Sequence, residues 1–138
     1  MARDRFHQVV KTALESDGWT VTHDPLQIKI GGVDMEIDLG AERLLAAERG
    51  DEKIAVEIKS FLASASAISE FHTALGQFMN YRAALRREDP DRILYLAIPN
   101  LIYNSFFQLE FPAFMLQENS VKIITYDIEL EQIVLWKK

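Results

Sequence analysis

The sharpest pattern in the chain has a period of two. From Lys53 to Lys59 (K-I-A-V-E-I-K), Ile54, Val56 and Ile58 point one way, and Ala55, Glu57 and Lys59 point the other. This alternation predicts a strand. Leu44 to Glu48 predicts its incoming partner, and Arg49-Gly50-Asp51-Glu52 between them is tight-turn chemistry. The outgoing strand reads as central, and central strands tend to bury both faces. A Glu and a Lys side by side on one face of such a strand need a partner or a task.

Elsewhere the period is 3.6. Phe6, Val9, Val10, Ala13 and Leu14 form one stripe and predict a helix over Asp4–Ser16, stopped at Asp17-Gly18. Phe71, Leu75, Phe78 and Leu85 predict a second, from about Ala67 to Glu88, capped by Ser64 or Ser66 and ended by Asp89-Pro90. On it, Gln77 and Tyr81 share a face, as do Arg82 and Arg86. Gln77 can reach the charged face of the hairpin. Arg82, Arg86 and Arg87 either form a basic rim or solvate a helix end and complement its dipole.

Trp19–His23 and Gln27–Ile30 read as one strand interrupted at Asp24-Pro25, with a turn at Gly31-Gly32. Arg92–Pro99 is a continuous apolar run, hence a buried strand. With the preceding helix it makes a β-α-β unit and a parallel pair. Phe106, Phe107, Phe111 and Phe114 fit a helical period and predict core packing, in one or two short helices broken near Pro112. Many aromatics also suit a subunit interface. Lys122–Tyr126 and Gln132–Trp136 predict two final strands.

Composition narrows the class. A length of 138 residues, 49% hydrophobic and 26% charged, predicts one folded domain, 1–138. The chain has no cysteine, so thiolate metal sites and disulfides are excluded, and a cytoplasmic setting is expected. No apolar run reaches the roughly 20 residues of a membrane span. The formal charge of −6 argues against gripping nucleic acid by bulk charge, but not against a local basic patch.

The chemistry gathers around the hairpin. Asp38 precedes Glu57 by nineteen positions, and a sheet can bring the two together. Two carboxylates and one ammonium suffice for metal-assisted phosphodiester hydrolysis. Hard oxygen ligands hold Mg²⁺ or Mn²⁺, while the Lys orients a water or helps deprotonate it and offsets transition-state charge. The bland reading of E-x-K is a solvated ion pair worth about 0–1 kcal/mol. Glu36 alternates with Asp38 and is either a supporting residue or solvent-facing. His7, at the edge of the first stripe, is either a boundary histidine with one hydrogen bond or an outer metal ligand or water holder.

The spacing D-x18-E-x-K resembles the active-site motif of the PD-(D/E)xK nuclease superfamily, with Ile37-Asp38 where that family often has Pro-Asp. The order helix, strand, hairpin, helix, strand is similar to its restriction-endonuclease-like αβββαβ core, an α/β fold with a central mixed sheet flanked by helices. Longer blocks are more specific. F-H-Q-V-V-K-T-A-L, I-D-L-G-A-E, I-A-V-E-I-K-S-F, I-S-E-F-H-T-A-L-G-Q-F-M-N-Y-R and D-R-I-L-Y-L-A-I-P resemble the XisH family of fdxN element excision controlling factors, over essentially the whole chain.

That resemblance implies a role in programmed DNA excision beside a recombinase and a small XisI-like companion. It also implies metal ligation by Asp38, Glu57 and the Ile58 carbonyl, catalysis by Lys59, and a helical glutamine at Gln77. His7 falls where many nuclease relatives carry a Glu. The reading weighs a Mg²⁺-dependent endodeoxyribonuclease, active on DNA, against a non-catalytic adaptor for the recombinase or companion, with homodimerisation possible in either case.

Overall fold

The structure, a computed structural model, describes residues 2–35, 44–61 and 66–138. Helix α1 (Ala2–Ser16) buries the expected stripe of Phe6, Val9, Val10, Ala13 and Leu14. Gly18 ends it at φ +89°, a conformation that strains any residue with a Cβ. Eight strands follow in chain order: β1 (Thr20–His23), β2 (Ile28–Ile30), β3 (Val33–Met35), β4 (Leu44–Arg49), β5 (Glu52–Ile58), β6 (Arg92–Pro99), β7 (Ile123–Asp127) and β8 (Gln132–Lys137). Helix α2 (Ala67–Glu88) joins β5 to β6. The connection from β6 to β7 holds α3 (Asn100–Tyr103), a single 3-10 turn (Phe106–Gln108) and α4 (Glu110–Glu118).

Six strands form a mixed sheet in the order β1-β4-β5-β6-β7-β8. The β5–β6 and β6–β7 pairs are parallel and the others antiparallel. β5 is therefore internal, as its alternation requires. The hairpin closes where the turn chemistry places it, with Arg49 opposite Glu52 and Gly50 at φ +59°.

The two faces of the sheet carry two cores. On one, Phe6, Val9 and Leu14 of α1 meet Val56, Ile58, Tyr95, Ala97 and Tyr126. On the other, Phe71, Phe78 and Leu85 of α2 meet Ala55, Leu94, Leu96 and Ile123. Phe71 and Phe78 are fully buried, and truncating either to Ala costs about 3–5 kcal/mol. No helix among the described residues is long and apolar enough to cross a membrane.

Two expectations are corrected. Trp19–Ile30 is not one interrupted strand. β1 pairs with β4 at the edge of the large sheet, while β2 pairs only with β3 in a separate ribbon. Pro25 offers no N–H to continue the ladder, and the register already shifts between Val21 and His23. Pro112 is not the break in the aromatic segment. It lies in the first turn of α4, where a missing N–H costs nothing, and the chain turns extended at Leu109 instead (ψ 148°). That break resets the helical phase. Phe107 is buried, but Phe111 and Phe114 are 52% and 54% exposed rather than in the core.

Candidate functional site

The site follows from the pleat of β5. Ile54, Val56 and Ile58 face α1 and Ala55 faces α2, so Glu57 and Lys59 also fall on the α2 side. Glu57 is 0% exposed and Lys59 only 4%. The Lys59 amide donates to the Ala97 carbonyl at 3.0 Å, extending the parallel pairing one residue beyond Ile58. Its carbonyl accepts from the Tyr126 hydroxyl at 3.4 Å. The main chain is thus held from the adjacent β6 and from β7 beyond it.

Helix α2 supplies the facing wall. Ser66 is its N-cap, with Oγ accepting from the Ser69 amide at 3.3 Å. Its two residues on the predicted face then meet the strand. Lys59 Nζ donates to Gln77 Oε1. Tyr81, one turn later, is buried, and its phenol is pushed up to about 12, first by burial and then by the negative charge of Glu57. The match is one of lengths. Four helical residues rise ~6 Å and two strand residues ~6.6 Å, so the Gln77/Tyr81 pair lies in step with Lys59/Glu57.

His7 is buried on α1, with Nε2 2.9 Å from each oxygen of Asp24. Lys11 reaches the same carboxylate at 3.4 Å. Burial pushes the Asp24 carboxyl up, but the hydrogen bonds and positive charges of His7 and Lys11 outweigh it and hold the carboxyl below its ordinary value. His7 therefore makes the carboxylate contact of a boundary histidine. Asp24 escaped sequence reasoning. It reads there only as the residue before a strand-ending proline, and no local signal links it to His7, seventeen positions away.

Asp38 and Glu36 lie outside the described residues. The backbone on either side is described. Met35 ends β3 opposite Ile28, which is buried in the α2 core, and Leu44 opens β4 opposite Glu57. No group of three or more His, Asp or Glu able to hold a metal occurs among the described residues. Within them the donor set is one buried carboxylate, Glu57, beside a cation, with the Ile58 carbonyl between.

Comparison with known proteins identifies the family. The XisH protein family model matches residues 1–134. The chain belongs to the XisH family. Among solved structures, an XisH family protein from Nostoc punctiforme PCC 73102 is 60% identical, with a TM-score of 0.91 over 98% of this chain and 100% of that one. An fdxN element excision controlling factor protein from Anabaena variabilis is 58% identical, also with a TM-score of 0.91, over 98% of this chain and 99% of that one. No curated protein matches. The XisH resemblance read from the sequence blocks is therefore correct over nearly the full length. The mixed six-stranded sheet that seats Glu57 and Lys59 is the XisH architecture of this chain.

Proposed function

We propose that this XisH-family chain acts in the cytoplasm in programmed excision of a DNA element, as a metal-dependent endonuclease with a PD-(D/E)xK, restriction-endonuclease-like site. The observation that carries the reading is Lys59. It stands at the end of an internal strand, two residues after a fully buried Glu57, and it is tied to Gln77 on the facing helix. Burying an acid and a base together without a task is costly, and a phosphate-cleaving site is a task that uses both.

Asp38, Glu57 and the Ile58 carbonyl would hold Mg²⁺ or Mn²⁺, since all three offer hard oxygen. Such an ion supplies Lewis-acid charge at the phosphoryl oxygens. The chain supplies the rest. Lys59, held as an ammonium, orients the attacking water, helps its deprotonation electrostatically and faces the developing negative charge. Gln77 fixes the ammonium so that no reorganisation is needed as that charge appears. Glu36, and His7 held by Asp24, support the ligand residues from behind.

The test is cleavage of supercoiled plasmid and branched DNA with Mg²⁺ or Mn²⁺. Lys59→Ala and Asp38→Asn should each lose about 10²-fold or more in rate. Equal residual activity in both variants and the parent would end the enzymatic reading. A second reading, an adaptor for a recombinase or XisI-like companion or a homodimer, draws on the net charge of −6 and on exposed Leu109 and Phe111 at the start of α4. It predicts a complex that survives Asp38→Asn with excision unaffected.

A further inference from the structure

Charge is unevenly spread over this acidic chain. It holds 15 Lys and Arg against 21 Asp and Glu. Yet a 160 Å³ cleft between α2 and the start of β6 is lined by Arg82, Arg86, Arg92 and Lys122, with no carboxylate among the described residues. It shares Ser120 and Lys122 with a groove of about 790 Å³ between α4 and the β7–β8 edge. The groove adds Lys137 and Lys138 and a single acid, Glu110.

Three of these cations are already engaged, Lys137 the most openly: its ammonium donates to the exposed Tyr103 hydroxyl at 3.3 Å and lies over that ring. Arg92 is paired with Asp89 at 2.9 Å and Glu48 at 3.5 Å. Arg82 donates to the Asn119 and Ser120 carbonyls at the end of α4, at 2.6 and 3.1 Å. Arg86, Lys122 and Lys138 make no side-chain hydrogen bond or ion pair among the described residues. Burial and then the Arg86 charge lower the Arg82 guanidinium below its usual value, so the cleft already carries like-charge repulsion. An anion placed there relieves it.

The aromatic content of the groove separates it from a simple anion hole. Phe114 lines it and is about half exposed. Cationic side chains along a groove, with an aromatic face turned to solvent, form the combination that tracks a sugar–phosphate chain and stacks its bases. The groove is not the Lys59 site. Gln77 leaves α2 toward β5 and Arg82 toward the α4–β7 connection, about 140° apart around the helix.

We infer that Arg86, Lys122, Lys137 and Lys138 form a second nucleic-acid contact, a phosphodiester track beside Phe114, on the flank of α2 opposite Gln77. It places on a net-acidic chain the local basic surface that DNA binding requires. The choice of ligand rests on the function proposed above, but the track does not depend on cleavage.

Fluorescence anisotropy with a labelled single-stranded oligonucleotide, and with its duplex, tests this in EDTA, where hydrolysis by a divalent ion is off. The variant Arg86→Gln/Lys122→Gln/Lys138→Gln should weaken binding at least tenfold. It should also lower the slope of log K against log salt by about 2–3, near one per cation removed. Lys29→Gln, on the small ribbon, should change neither. Phe114→Ala weakening the single strand alone assigns the track to unpaired nucleic acid, and equal weakening of both assigns it to duplex. An unchanged triple variant overturns the track. So does poly-glutamate of matched charge binding as tightly as the oligonucleotide, which marks a surface for an acidic polypeptide. Binding that behaves as expected in a chain that never cuts DNA retains the track and removes the catalytic reading. Cutting with an unaffected triple variant does the reverse.

Discussion

Lys53 and Lys59 stand on the same face of β5 and both reach α2, yet they are used in opposite ways. Lys53 is about one-third exposed and meets a carboxylate, Asp89, at 2.7 Å. Asp89 is the C-cap of α2 and also takes Arg92 at 2.9 Å. Its hydrogen bond to Lys53 holds its carboxyl below the ordinary value against the opposing effect of burial, and Arg92 adds to that. Lys59 is buried and meets the neutral amide of Gln77. The spans agree. Twelve helical residues from Gln77 to Asp89 cover ~18 Å, and six strand residues from Lys59 to Lys53 cover ~20 Å. One helix therefore touches both ends of the strand. At the first end charges cancel and hold the helix down. At the second, a neutral amide holds the lysine in place, which suits a group that a substrate must find already positioned.

The largest effect that sharpens this contrast lies at the cancelled end. Arg92 is buried, bonds Asp89, approaches Glu48 at 3.5 Å and donates to the Ile54 carbonyl at 3.0 Å. Arg92→Ala leaves Glu48 and the Ile54 carbonyl without their cation and Asp89 with Lys53 alone, and should cost about 3 kcal/mol in urea unfolding. On the nuclease reading proposed above, folded Arg92→Ala should keep the parent rate of cleavage below its melting temperature. A loss under about 1 kcal/mol, or a specific loss of cleavage in folded protein, would merge the two ends and void the distinction.

Much of this contrast was legible before any coordinates. The period of two placed Glu57 and Lys59 together, and the four-residue spacing placed Gln77 and Tyr81 together. What the chain could not reveal was partnership across distance. The Lys53–Asp89–Arg92 cluster joins a hairpin to a helix end thirty-six positions later, and each member alone reads as an ordinary surface charge. The His7–Asp24 contact is the same kind of omission. The exposure of Phe111 and Phe114 was misread because period counting assumes one uninterrupted helix, whereas the chain turns extended at Leu109. The separation of β1 from β2 was misread because alternation identifies strands but not the sheet they join. Asp38, the remaining member of the motif, lies outside the described residues.

Asp24 offers a smaller test of which class it belongs to. Like Asp89 it faces two basic groups, His7 and Lys11, and its folded-state value is depressed. A depressed carboxyl contributes stability that is present above its unfolded value, near 3.9, and is lost as pH falls through the folded value. Asp24→Asn should therefore remove about 1.5 kcal/mol at neutral pH and flatten the acid limb of the stability curve below about pH 4. Circular dichroism melts across that window measure it. If cleavage falls while the acid limb is untouched, Asp24 acts at the Lys59 end and not as structural pairing.

The smallest expected effect probes the amide itself. If Gln77 positions Lys59 rather than neutralising it, Gln77→Leu should cost folding only about 1 kcal/mol and lower turnover about fivefold, or ~1 kcal/mol of barrier. The loss should fall on turnover and not on substrate binding, because the oxygen that orients the ammonium is gone while the lysine itself remains. Lys53→Met is the matched control: it deletes a carboxylate-paired lysine from the same face of the same strand and should move stability alone. Turnover lowered by Lys53→Met and not by Gln77→Leu would reverse the assignment of the two ends. The ammonium that matters to chemistry would then be the paired, half-open one, and the buried lysine would be an internal tether between β5 and α2.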